Sequence, residues 1–362
     1  MLLSSSRKHN GIIEKVDFAS PYIVGDYEQD YWLAPYYTFS QRHRRYRRPV
    51  IWEELEHDIH QMIRKKDTST IITLESRYYK GPIAGKTCIP NIAQIIPVSA
   101  PKESGGIRLD PAELKQLIIE GLNIGFLIDD LDKKTLVVTT IAQRDYERYQ
   151  EKELVFEDIH VGRFHVLLLL PATIPPPYPA VIGLHGHRES DVFFRDYHMG
   201  RELVNEGYAV VMPYFRAMRS YSSVENRITR DLLTDGFSLM GLRVYETLLV
   251  LKYLSYLDVI DSRRIGLLAH SGGSAVATLL VRVTDKIKVM VRDYVSDYMD
   301  TSSLDYVHCE VIPSLAPYQV LINDQKTMTP FVLDVGYWFD EKDAQQHIKQ
   351  FFADMFTKTA AR

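Results

Sequence analysis

Hydrophobic residues from Leu109 onward fall into two alternating kinds of segment. Short apolar runs at 134–143, 152–159 and 162–171 read as strands. From Ala180 the pattern becomes regular. Runs at 180–184, 208–212, 265–269, 287–292 and 331–336 predict further strands. Between them, stretches at 195–205, 236–256, 272–283 and 343–356 carry apolar residues at helical spacing, and 236–256 reads as a long amphipathic helix. Asp110-Pro111 supplies a cap and a first-turn proline for one more helix, running to about Asn123. Strand–helix alternation of this kind builds an α/β fold: a mostly parallel sheet with helices on both faces.

Residues 1–105 follow no such rhythm. They predict an N-terminal extension of irregular or helical character, set apart from a main domain at 106–362, and serving as a lid or as the contact of a homo-oligomer. Its one dense basic cluster is Gln41-Arg-His-Arg-Arg-Tyr-Arg-Arg-Pro49. A polyanion would find charge there, but a solvated segment, or one pairing with the acidic helix beyond Pro49, is the preferred reading. His57 and His60 share a helical face at metal-ligand spacing, which a charged exposed face also explains. Gly81 and Gly85 enclose three residues where a phosphate loop needs four, so a nucleotide site is rejected.

Composition narrows the functional classes. A chain of 362 residues with 46% hydrophobic content can bury a large core, and a formal charge of −4 argues against a nucleic-acid partner. Cys88 and Cys309 make no disulfide framework, and the N-terminus lacks a secretory apolar core. The apolar run at 166–171 is far too short to cross a bilayer. A cytoplasmic protein without a membrane partner is expected.

The chemistry centres on Arg264-Ile-Gly-Leu-Leu-Ala-His-Ser-Gly-Gly-Ser-Ala275. A buried strand turns abruptly into a small-residue helix, with Ser271 at the apex. That is the pattern of a nucleophile elbow, with Ala269 at the place of the first glycine of Gly-x-Ser-x-Gly. Small neighbours are needed because the serine is strained and helix and strand pass closely. The Gly272 amide, at the positive end of the helix, is the expected first oxyanion donor.

With Ala180-Val-Ile-Gly-Leu-His-Gly-His187, Glu206-Gly-Tyr-Ala-Val-Val211, Leu239-Met-Gly-Leu-Arg-Val244, Asp261-Ser-Arg-Arg-Ile-Gly266 and His270-Ser-Gly-Gly273, in that order, the chain from about Leu109 onward resembles the α/β-hydrolase superfamily. Within it, dienelactone-hydrolase-like and acetyl-xylan-esterase-like enzymes are the nearest in kind. The resemblance implies a serine hydrolase acting on a small ester or acyl substrate, with no metal and no organic cofactor. It places a second oxyanion donor at the His187 amide.

Chain order in this fold is serine, acid, histidine. Only His308 and His347 follow Ser271, and the loop 337–343 after the last expected strand has no histidine. His347 lies within a helical pattern. Ser271–His308–Asp297 is therefore the preferred triad, with Asp293 as a rival to Asp297, and with Asp340 as the acid should His347 be the base. The alternative is a protein that has kept the elbow, lost the base, and binds a ligand or partner in the former cleft.

Overall fold

The structure, a computed structural model, describes residues 6–9, 12–16 and 108–360, other than 159, 188, 217, 219–224, 226–228, 230–231, 233–236, 297–308, 313 and 336–341. Asp297, His308, Asp340, Cys88, the His57–His60 pair and the basic cluster of residues 41–49 lie outside the described residues.

Ten strands form a single sheet: β1 (Ser6–His9), β2 (Ile12–Val16), β3 (Leu136–Asp145), β4 (Tyr149–Asp158), β5 (Gly162–Pro171), β6 (Tyr178–Leu184), β7 (Ala209–Pro213), β8 (Ile260–Ala269), β9 (Val289–Arg292) and β10 (Phe331–Asp334). Their spatial order is β1-β2-β3-β4-β5-β7-β6-β8-β9-β10. Strands β3, β4, β5 and β7 pair antiparallel, whereas β7, β6, β8, β9 and β10 run parallel. The central parallel strand β7, residues 289–291 of β9 and the second half of β8 are continuously apolar and buried, as burial on both faces requires. The chain leaves β6 for β7 on one side and returns to β8 on the other. That reversal opens a crevice at the carboxyl ends of β6 and β8, the usual ligand position in open α/β sheets. Strands β1 and β2, where the sequence predicted none, extend the sheet at its antiparallel edge through parallel pairing of β2 with β3.

Helices cover both faces. Helix α1 (Pro111–Leu122) begins in a capping box between Asp110 and Glu113, as the Asp-Pro start foretold, and a single turn, α2 (Gly125–Ile128), follows it. Expectation and structure diverge at 195–205. Two short helices stand there, α3 (Asp191–Tyr197) and α4 (Gly200–Asn205), broken at Met199 with φ 67°. A Cβ at Gly200 would lie 2.6 Å from Arg195 Cα, so this tight corner depends on glycine.

Helix α5 (Leu239–Leu254) corrects a second expectation, because all sixteen of its residues are buried and none of its faces is a solvent face. Its charged residues find internal partners instead. Arg243 bonds Glu225 at 2.7 Å, Glu246 bonds buried Arg216, and Lys252 donates to the Leu131 and Lys134 carbonyls at 2.5 Å each. Helices α6 (Gly272–Val283), α7 (Gln319–Asn323) and α8 (Lys342–Ala360) follow.

Two apolar layers flank the sheet. Leu267, Ile182 and Val211 pack with α1, α5 and α6, while Leu268, Val181 and Val210 pack with α3, α4 and α8. Adjacent residues of each central strand thus serve opposite layers, as a period of two demands. On α8 the buried residues are Ile348, Phe352, Met355 and Phe356, and His347 is exposed.

Candidate active site

Ser271 sits at the junction of β8 and α6 with φ 48° and ψ −120°, a conformation that L side chains rarely adopt. Holding it costs on the order of 1–3 kcal/mol, so the surroundings must over-determine it. They do so in three ways. The His270 amide donates to the Leu184 carbonyl at 3.0 Å, tying the turn to the end of β6. The Ser271 amide donates to Asp293 Oδ1 at 2.8 Å, just past β9. Gly273 crosses the end of β6 so closely that a Cβ would stand 2.2 Å from the Leu184 carbonyl oxygen.

The loop after β6 lies directly against this turn. A Cβ on Gly186 would come within 2.8 Å of His270 Cδ2 and 3.0 Å of Ser271 Cβ, while one on Gly272 would meet the His187 ring at 2.4 Å. The two segments that the sequence singled out, His185-Gly186-His187 and His270-Ser271-Gly272, are therefore in mutual contact at the crevice.

Around them the structure assembles two clusters that the sequence reading did not single out. In the first, Glu189 Oε1 lies 2.9 Å from His198 Nε2 and 3.3 Å from His270 Nε2, and Glu189 Oε2 accepts the Gly186 amide at 2.7 Å. His270 Nδ1 faces Asp293 Oδ2 at 2.5 Å. Burial opposes a charge on His270, but the carboxylates of Asp293 and Glu189 outweigh it and carry the imidazole up to about 9. Burial likewise works against the Glu189 anion, and bonds to His198 and His270 reverse that, holding its carboxyl well below the usual range.

In the second cluster, His187 Nε2 lies 3.1 Å from Cys309 Sγ and 3.3 Å from Glu225 Oε1, the oxygen that Arg243 also bonds. Burial would discharge His187, yet Cys309 and Glu225 raise it to about 10. Burial also pushes the Cys309 thiol up. Against the cost of burial, Arg243 and His187 lower Glu225 to about 2. His185, deeper in the loop, is discharged by burial, down to about 4, and its Nε2 accepts the Phe215 amide at 3.0 Å.

No family profile and no curated protein matches the sequence. Solved structures do. An acetyl xylan esterase from Paenibacillus sp. R4 superposes with a TM-score of 0.52 at 10% identity, over 68% of this chain and 100% of that one. The chain has the α/β-hydrolase fold. Acetyl Xylan Esterase 1 from Thermoanaerobacterium sp. JW/SL YS485 aligns over 69% and 96% of the two chains, at 14% identity and a TM-score of 0.46. For a Bacteroides fragilis protein assigned as an acetyl xylan esterase the values are 65% and 64%, 17% and 0.44, so the chain spans just under two thirds of that protein's length. At these identities the likeness concerns the fold alone.

Within the α/β-hydrolase fold, the His187 ring lies against Gly272, next to Ser271. Asp293 is beside them, with Oδ2 engaged by His270 and Oδ1 by the Ser271 amide and the Ser274 hydroxyl. Glu189, His198, Glu225 and Arg243 passed unnoticed in the sequence. His198 and Glu225 sit in polar surroundings without a motif, and only the loop position of Glu189, three residues past Gly186, could have hinted at it.

Proposed function

We propose that this protein is a serine hydrolase cleaving a small ester or acyl substrate. Ser271 Oγ attacks the acyl carbon, and His308 takes its proton while Asp297 orients the imidazole. The Gly272 and His187 amides receive the oxyanion, each donor contributing about 3 kcal/mol of transition-state stabilisation. The leaving alcohol departs with the proton from His308, and water, deprotonated by the same imidazole, releases the acid from the acyl-enzyme. No organic cofactor is called for.

The observation that carries this reading is the left-handed Ser271 backbone, held at a strand-to-helix turn against the Gly186–His187 loop. Two further contacts favour the chosen partners. Cys309 touches His187, which lies over Gly272, so the chain next to His308 is anchored at the crevice. Both oxygens of Asp293 are committed to the turn, which favours Asp297 over Asp293 as the orienting acid. His347, exposed on α8, is the weaker base. The name of the Paenibacillus protein fits an ester substrate. No described helix is long and apolar enough to cross a membrane, and two cysteines, too few for a disulfide framework, fit a reducing compartment such as the cytoplasm.

A fluorophosphonate probe tests the reading. Covalent labelling of the wild type, lost in Ser271→Ala, is the expected result, and no Ser271-dependent labelling across several pH values would sink it. The second reading, a non-catalytic protein binding a ligand in the cleft, draws on the lack of a histidine at 337–343. Turnover of an aryl ester that disappears in Ser271→Ala would eliminate it.

A further inference from the structure

We infer that Glu189, His198 and His270 form a binding site for a divalent cation of the zinc class, immediately behind the Ser271 turn. The sequence reading anticipated no metal here. The three residues come from separate segments: Glu189 from the loop after β6, His198 from the corner between α3 and α4, and His270 from the end of β8. Their donor atoms, one carboxylate oxygen and two imidazole nitrogens, all lie within 4.8 Å of one another. Glu189 Oε1 is 2.9 Å from His198 Nε2 and 3.3 Å from His270 Nε2. Ligands about 2.0–2.1 Å from a zinc ion stand about 3–3.4 Å apart across its coordination shell, so both measured edges are of the right size.

Orientation is provided as well. A metal-bound histidine characteristically gives its other ring nitrogen to a carboxylate, and His270 Nδ1 faces Asp293 Oδ2 at 2.5 Å. The second oxygen of Glu189 accepts the Gly186 amide, which aims Oε1 at the two rings. With both imidazoles neutral, the carboxylates of Glu189 and Asp293 together balance a doubly charged ion. The ion takes the place of the protons that otherwise stand between Glu189 Oε1 and the Nε2 atoms of His270 and His198: the one from His270 leaves to solvent, and His198 goes over to its Nδ1–H form. Two nitrogens and one oxygen suit zinc, cobalt or nickel. Calcium and magnesium need a shell of oxygens that the site lacks.

The neighbouring group of His187, Glu225 and Cys309 also has its donors within 4.8 Å. There the Arg243 guanidinium already bonds Glu225 Oε1 at 2.7 Å, so a cation occupies the charge that a metal would use. The first group is the one built for an ion. Bound there, the ion would clamp the β6 loop, the α3–α4 corner and the residue before Ser271 into one unit.

The test uses the full-length protein stripped with a chelator and titrated calorimetrically with zinc chloride. One saturable site is expected, with affinity lowered at least about 10-fold in His198→Gln and in Glu189→Gln, and about 10–100-fold in Asp293→Asn. Cys309→Ser and Glu225→Gln should bind as the wild type does. X-ray absorption of the zinc-loaded wild type guards against variants that fail to fold. Nitrogen and oxygen neighbours at about 2.0–2.1 Å support the site, whereas a sulfur at about 2.3 Å places the ion at Cys309 and overturns it. Lack of saturable zinc or cobalt binding by the wild type overturns it too, as does unchanged affinity in folded His198→Gln and Glu189→Gln.

Discussion

Asp293 holds the Ser271 turn from beneath: its Oδ1 accepts the Ser271 amide at 2.8 Å while its Oδ2 grips the neighbouring His270 ring at 2.5 Å. One carboxylate thus satisfies the amide of a strained residue and fixes the side chain before it.

Asp293→Ala should therefore cost far more than a surface change. It leaves the part-buried Ser271 amide without its acceptor and strips one counter-charge from His270. A loss of about 3 kcal/mol is expected, the scale seen when one partner of a buried pair is removed. Urea unfolding measures it. A loss below about 1 kcal/mol would show that the turn is held by something else.

The two glycines after Ser271 should respond differently to the same added methyl. At Gly273 the Cβ would stand 2.2 Å from a backbone oxygen, Leu184 O, which cannot swing away. Gly273→Ala is expected to cost about 3 kcal/mol or more, or to abolish soluble expression. At Gly272 the methyl meets the His187 ring at 2.4 Å, a side chain that can rotate. Gly272→Ala should lose no more than about 1–2 kcal/mol, yet label poorly, because the displaced ring disturbs the loop that carries the His187 amide. Paired melting curves and probe-labelling rates check both, and equal losses at the two positions would count against the contact geometry.

Most of the scaffold was legible in the sequence because it is written in local terms. Strand β5 and helix α6 have the expected bounds, since an unbroken apolar run and a small-residue helix start are signals that lie within a few residues of one another. The α3–α4 break escaped because it turns on Met199 at positive φ, which no propensity marks. Helix α5 looked amphipathic because Arg243, Glu246 and Lys252 read as a solvent face. Their partners, Glu225, Arg216 and the Leu131 and Lys134 carbonyls, come from other segments. The site divides the same way. Ser271, Gly272 and the His187 loop follow from a motif, whereas Glu189 and His198 meet His270 only through tertiary packing.

Acid should destabilise the protein in a window set by His185. Its folded pKa is about 4, below an unfolded value near 6.5, because burial disfavours the charged ring; the neutral ring accepts the Phe215 amide. Between those values the unfolded state binds the extra proton, so stability falls as pH drops from about 6.5 to about 4 and levels off below. The full effect is about 3 kcal/mol, and it precedes the loss from carboxyls held low, such as Asp191, which sets in at lower pH. In His185→Gln, which can accept the same amide without titrating, the decline between pH 6.5 and 4.5 should flatten. An identical slope in the two proteins would rule out this assignment.

Strain at Ser271 supplies the last prediction, and it separates folding from chemistry. Alanine retains a Cβ at φ 48°, so Ser271→Ala keeps the unfavourable backbone while removing the hydroxyl. Glycine adopts that conformation freely, at the expense of a more flexible unfolded chain. Ser271→Gly should be more stable than Ser271→Ala by about 1 kcal/mol, the part of an estimated 1–3 kcal/mol of strain that survives this entropic offset. Neither variant should take up the fluorophosphonate. If the glycine variant proves no more stable than the alanine one, the turn is not strained. If either variant is labelled like the wild type, the hydroxyl of Ser271 is not the nucleophile.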